Sequence, residues 1–100
     1  MDITVQELKT KLDNQEDFLF IDVREQWEYD EFNIGAKLIP LGSVQSALED
    51  LAEHKEKEVV VHCRSGQRSA GAQQIMQMAG FTNVRNLIGG VLHWQELYGK

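Results

Sequence analysis

Ten consecutive residues, Val61-His62-Cys63-Arg64-Ser65-Gly66-Gln67-Arg68-Ser69-Ala70, hold the side chains of this chain best suited to chemistry. Cys63 is the single cysteine among 100 residues. A lone thiol has no internal disulfide partner, so it is either a small buried hydrophobe or a reactive group. Its neighbours favour reactivity. Arg64 and Arg68 place two cations close by, Gly66 permits a tight bend, and a helix is expected to begin near Ser69. The N–H groups of such a loop can turn inward as a nest, and helix N-termini and nearby cations lower a thiol's pKa. The thiolate is the nucleophilic form. The segment reads as an anion cradle, formed by Arg64, Ser65, Gly66, Gln67 and Arg68, with a nucleophilic Cys63 at its base.

Such a cradle needs a buried strand before it and a helix after it. Val59-Val60-Val61-His62 is β-branched and apolar, which suits a strand, and Ala72, Ile75, Met76 and Ala79 make the following helical stripe, stopped by Gly80. Upstream, Thr4-Val5-Gln6-Glu7 is a capping-box signature, with Val5, Leu8 and Leu12 at helical spacing. Phe18 to Val23 has the continuous apolar character of a strand buried on both faces. A short helix or turn is expected over Glu25 to Phe32, an extended piece over Lys37 to Pro40, a helix over Ser43 to His54, a strand over Val84 to Leu87 and a last helix after Gly89-Gly90. Alternating helices and strands predict an α/β domain, three layers deep, with a mainly parallel sheet and helices on both faces, spanning residues 1–100 as one domain. Ligands of such sheets bind beyond the carboxyl ends of the strands, where Cys63 falls.

Four motifs in order resemble the single-domain rhodanese family. Cys63-Arg64-Ser65-Gly66-Gln67-Arg68 is similar to its six-residue active-site loop, Asp22-Val23-Arg24-Glu25 to its Asp-Val-Arg signature, Gly35-Ala36-Lys37-Leu38-Ile39-Pro40 to its Gly-Ala-x-x-Ile-Pro piece, and Gly89-Gly90-Val91-Leu92-His93-Trp94 to its closing Gly-Gly-x-x-x-Trp element. One position departs: Phe32 stands where the family usually has a histidine. The resemblance implies a sulfurtransferase. A sulfane sulfur would pass from a donor such as thiosulfate or a persulfide to Cys63, be held there as a persulfide, and leave to cyanide, glutathione or a protein thiol such as thioredoxin. It implies no metal and no organic cofactor. Because no second cysteine exists to resolve the persulfide, the sulfur must leave to an external acceptor.

The remaining candidates read as support. Asp22, at a strand end, is expected to pair with a cation such as Arg24 or Arg68. Alternation along the strand turns His62 away from Cys63. His54 and His93 lack ligand company at zinc spacing. Met76 and Met78 suit core or helix surface, and Trp27 and Trp94 suit core anchors. Three rival functions are a sulfur carrier serving one protein partner, a regulatory binding module, and a phosphatase or arsenate reductase of the same fold. Counting weighs against the last: a phosphatase loop reads His-Cys-x5-Arg, whereas Arg64, Ser65, Gly66 and Gln67 alone separate Cys63 from Arg68.

A balance of 10 basic against 16 acidic residues, net −6, disfavours nucleic acid, which needs a basic face. No apolar run reaches membrane-spanning length, and the N-terminus lacks a basic stretch followed by an apolar one, so a cytoplasmic protein, monomeric or weakly dimeric, is expected.

Overall fold

The computed structural model describes residues 1–99. Its strands, β1 (Leu19–Asp22), β2 (Lys37–Leu38), β3 (Glu58–His62) and β4 (Asn83–Asn86), form a parallel sheet in the order β2-β1-β3-β4. Ile3 lies beside β4 as a single-residue bridge to Leu87. The helices are α1 (Val5–Asp13), α2 (Gln26–Glu31), α3 (Leu41–Ala47), α4 (Gln67–Met78) and α5 (Gly90–Tyr98), with a 3₁₀ turn over Ala52–His54.

Successive strand side chains point to opposite faces, and both faces are covered. Val59, Val61 and Cys63 pack with Val44, Ala72 and Met76 on the α3/α4 side. Val60 packs with Ile3, Val5, Leu8, Leu87 and Trp94 on the α1/α5 side. Two-sided burial is why β3 carries valine at three successive positions, each contributing about 1.5–3 kcal/mol by leaving water. Alternation puts His62 on the face away from Cys63, against the ring of Phe20, as its strand position predicts.

Several boundaries differ from the sequence reading. The helix expected over Ser43 to His54 starts earlier, directly after Pro40, and ends at Ala47. Its continuation tightens into shorter-range bonds, with Ala52 donating to Glu49 and His54 to Leu51, which turns the chain back toward β3. Helix α4 begins at Gln67, two residues before the expected Ser69. Trp27 is no core anchor: α2 has only six residues, and its Trp27 is 64% exposed while Glu28 takes the buried position. Met78 is exposed and Met76 buried.

All strands end at one edge, and the loop after β3 is clamped there by α5. The Val91 amide donates to the Cys63 carbonyl and the Leu92 amide to that of Arg64, both at 3.0 Å. Gly90 allows this approach: its φ is +59°, and a Cβ there would lie 2.5 Å from the Arg64 oxygen and 2.6 Å from that of Cys63. Gly90→Ala is therefore expected to cost about 1–3 kcal/mol in urea unfolding, the usual range for overpacking, and to slow alkylation of Cys63. A variant with wild-type stability and thiol reactivity would show that the loop is not clamped in this way.

Candidate active site

The Cys63 side chain leaves β3 pointing into the α4 side of the sheet, and the chain turns over it. Gly66, at φ +108°, makes that turn and caps α4. The turn aims donors back at the sulfur: Sγ accepts from the Gly66 N–H at 3.1 Å, the Ser69 N–H at 3.4 Å and the Ser69 hydroxyl at 3.3 Å. Burial pushes the thiol's pKa up, but the hydroxyl and N–H of Ser69 and the N–H groups of Gly66 and Ser65 outweigh it, and the net shift is downward.

A second layer holds these donors. The buried Asn86, at the end of β4, donates its side-chain amide to the Gly66 carbonyl at 3.0 Å and accepts from the Ser69 hydroxyl at 2.5 Å. Its amide orientation is fixed by those two opposite partners. Arg68 is held by Glu28 in a two-point ion pair at 2.7 and 2.8 Å that ties the loop to α2. The Arg68 contact holds the Glu28 carboxylate down at about 2 against the opposing effect of burial. Arg24 is likewise occupied, by Asp22 at 2.9 Å and by the Phe32 carbonyl at 2.7 Å.

The sequence pattern of the rhodanese-like domain matches residues 4–97. The chain belongs to the rhodanese-like domain family. It is 36% identical over 94 residues to YrkF of Bacillus subtilis, named as a candidate sulfur carrier, covering 93% of this chain and 50% of that one. It is also 36% identical over 95 residues to the candidate sulfurtransferase YtwF of the same organism, covering 94% of this chain and 89% of that one. The human single-domain sulfurtransferase TSTD1 superposes with a TM-score of 0.83 at 27% identity, covering 95% of each chain. The chain thus spans only half the length of YrkF.

Within this rhodanese fold the predicted site residues separate by role. Cys63, Ser65 and Gly66 form the sulfur's surroundings. Gln67 is exposed on the first turn of α4, and Arg64 is exposed with no salt bridge among the described residues. Asp22 meets Arg24, one of the two partners expected for it, whereas the other, Arg68, finds Glu28 instead. The sequence reading credited the loop's N–H groups, the helix start and the two arginines with lowering the thiol's pKa; the N–H groups do so, joined by the Ser69 hydroxyl, and the arginines are not among the chief causes. Ser69, Asn86 and Glu28 were not singled out in the sequence. Ser69 could have been, since its N–H belongs to the first turn of a helix capped inside the loop. Among the described residues no group of His, Cys, Asp and Glu could hold a metal ion, and no helix is long and apolar enough to cross a membrane.

Beside the loop, Arg24, Trp27, Glu28, Glu31, Phe32 and Arg64 share a cleft of about 340 Å³ with Val91, Leu92 and Gln95 of α5. Phe32, in the usual histidine's place, is a wall of it.

Ser69→Ala is expected to raise the Cys63 pKa and to slow iodoacetamide alkylation at pH 7 on the order of tenfold, matching the loss of one hydrogen bond to a charged atom, about 1.5 kcal/mol. Alkylation rate against pH reads both. An unshifted profile would remove Ser69 from the account.

His62 generates a separate prediction. Its ring is fully buried, with Nε2 unpartnered and 3.6 Å from an Asp22 oxygen. Burial lowers its pKa from 6.5 to about 4; the nearby Asp22 carboxylate opposes this and the Arg24 charge adds to it. Between those two values the unfolded chain binds the proton and the folded chain does not, so stability falls as pH drops from about 6.5 to about 4. Urea unfolding at pH 7 and pH 4.5 should show this loss in the wild type and a smaller loss in His62→Leu. Equal losses would place the acid sensitivity elsewhere.

Proposed function

We propose that this rhodanese-like domain transfers a sulfane sulfur through a persulfide on Cys63. The observation that carries the reading is the convergence of three donors, the Gly66 N–H and the Ser69 N–H and hydroxyl, on a single buried sulfur. Such donors stabilise a thiolate, and they equally suit the anionic persulfide that replaces it.

In the first step the Cys63 thiolate attacks the outer sulfur of a donor such as thiosulfate or a persulfide. A new S–S bond forms at Sγ, the donor's own bond to that sulfur breaks, and sulfite or the donor thiolate leaves with the electron pair. In the second step an acceptor, cyanide or the thiolate of glutathione or of a protein thiol such as thioredoxin, attacks the outer sulfur. The bond to Sγ breaks and Cys63 leaves as thiolate. An acceptor thiol's proton is released to solvent as it ionises. No oxidant, metal or organic cofactor enters, since each step exchanges one S–S bond for another bond to sulfur. Splitting one transfer in two requires a good nucleophile that is also a good leaving group, and a depressed thiol pKa serves the second demand directly.

Delivery to one dedicated protein partner is a second reading, supported by the similarity to a relative named as a candidate sulfur carrier. Phosphoryl transfer is disfavoured by loop length. The loop amides would have to surround three equatorial oxygens, and of the four residues between Cys63 and Arg68, Ser65 and Gly66 instead direct their N–H groups at the sulfur itself.

Exposure to thiosulfate or polysulfide should add the mass of one sulfur to the peptide containing Cys63, and cyanide should then be converted to thiocyanate. Cys63→Ser should lose both while remaining folded. Hydrolysis of p-nitrophenyl phosphate should stay at background. Retained sulfur transfer in the serine variant would overturn the nucleophile, and robust phosphatase turnover would overturn the reaction class.

A further inference from the structure

The cleft beside the loop is far larger than the sulfur chemistry alone needs. Its volume of about 340 Å³ sits at the lower end of the range for small-molecule sites, roughly 300–1,000 Å³, whereas thiosulfate or cyanide would fill only a corner of it. Its charges are also unequal. Arg24 is bound to Asp22, and Glu28 and Arg68 neutralise each other. That leaves one cation and one anion on the walls without a salt bridge among the described residues: Arg64, on the active-site loop, and Glu31, at the end of α2. The same walls carry apolar surfaces, Trp27, Phe32 and Leu92, and one neutral amide, Gln95. Trp27 is 64% exposed, and Leu92 is also exposed, so both offer open surface to a ligand. Cys63 does not wall the cleft, but its neighbour Arg64 does, so a ligand lying there runs alongside the loop.

From this arrangement we infer that the cleft is a recognition site for a low-molecular-weight thiol of the amino-acid or small-peptide class, bearing both a carboxylate and an ammonium group, which enters as the sulfur acceptor or, as its persulfide, the donor. The carboxylate pairs with Arg64 and the ammonium with Glu31, while Trp27 and Phe32 cover the aliphatic body. The inference rests on the Cys63 persulfide reading and adds to it the end groups that select the substrate. An inorganic anion would use Arg64 and leave Glu31 opposing it. A purely cationic thiol would meet the reverse mismatch. Only a ligand with both charges satisfies both walls, and specificity of this kind arises as much from the unpaired charge that a wrong ligand leaves behind as from the contacts of the right one.

The test separates loading from delivery. The full chain is first loaded with sulfur from polysulfide and checked by mass at Cys63. Single-turnover transfer is then measured to glutathione and cysteine, which carry both groups, to N-acetylcysteine and cysteamine, which carry one each, and to 2-mercaptoethanol, which carries neither, with rates corrected for each thiol's ionisation. Glutathione and cysteine should lead 2-mercaptoethanol by about tenfold or more. Glu31→Gln should cut the advantage of glutathione over N-acetylcysteine by about fivefold, the upper end for a solvent-exposed ion pair. Arg64→Ala should cut the advantage of glutathione over cysteamine by a similar factor. Failure of Cys63 to load would sink the underlying persulfide reading. Normal loading followed by equal transfer to all five thiols, or equal loss toward glutathione and N-acetylcysteine in Glu31→Gln, would overturn the recognition site alone. So would a reduced protein dithiol such as thioredoxin that outruns every small thiol and loses no rate in either variant.

Discussion

A buried sulfur that must carry negative charge is the constraint around which this molecule is arranged. An isolated thiolate in an apolar interior is costly, and Cys63 sits among Val61, Ala72 and Met76. The cost is offset locally, by N–H groups that the turn at Gly66 and the first turn of α4 leave free to donate. Those donors exist only because β3 ends and α4 begins within a few residues, and that abrupt change of direction requires the left-handed conformation at Gly66. The hydrophobic strand, the glycine and the helix start are therefore parts of one electrostatic solution.

The arginines follow from the same constraint in a less obvious way. A guanidinium beside the sulfur would stabilise the thiolate, but in the proposed transfer a contact that strengthens the thiolate too far would also weaken it as a nucleophile. Here Arg68 is bound at two points by Glu28, and its role is to tie the loop to α2 across 40 positions of sequence. Arg24 likewise bridges the end of β1 to the Phe32 carbonyl at the end of α2. The Arg68–Glu28 ion pair and the Arg24 hydrogen bond to Phe32 both hold the short helix, which lets a helix of six residues form one wall of the cleft without a large apolar anchor of its own. With its partners so committed, Arg64 is the loop cation that faces the cleft unpaired among the described residues.

Much of this was legible in the sequence, and what was not shares a physical reason. The strand-loop-helix unit around Cys63, the capping box at Thr4, the parallel sheet and the Asp22–Arg24 pair all depend on residues near each other in the chain or on periodic burial. Glu28, Asn86 and the true partner of Arg68 depend on side chains that meet only after the sheet has set its strand order. β4 lies next to β3, which brings Asn86 under the loop from 20 positions away. Trp27 was misassigned for a related reason: aromatic residues usually anchor cores, but on a helix this short the buried position went to Glu28, whose charge is cancelled by Arg68. The apolar run of Phe18 to Val23 exceeded β1 because side-chain burial continues on either side of it, at Phe18 and at Val23.

Asn86 also limits how far the thiolate can be stabilised. The Ser69 hydroxyl has one proton and two acceptors in reach, Cys63 Sγ at 3.3 Å and the Asn86 side-chain oxygen at 2.5 Å. With Cys63 protonated, the thiol can donate to Ser69 while Ser69 donates to Asn86, and every group is satisfied. Ionisation of Cys63 removes its proton and asks Ser69 to turn toward the sulfur, leaving the Asn86 oxygen to lose its donor. The N–H contributions from Gly66 and Ser69 carry no such competition, because backbone donors in a clamped loop have nowhere else to point. The site therefore combines fixed donors, which hold the charge whenever it is present, with one switchable donor that relaxes when a proton or a second sulfur takes up the charge. That division suits the proposed transfer, in which Cys63 alternates between nucleophile and leaving group, since a sulfur gripped equally hard in every state would gain nothing from passing between them.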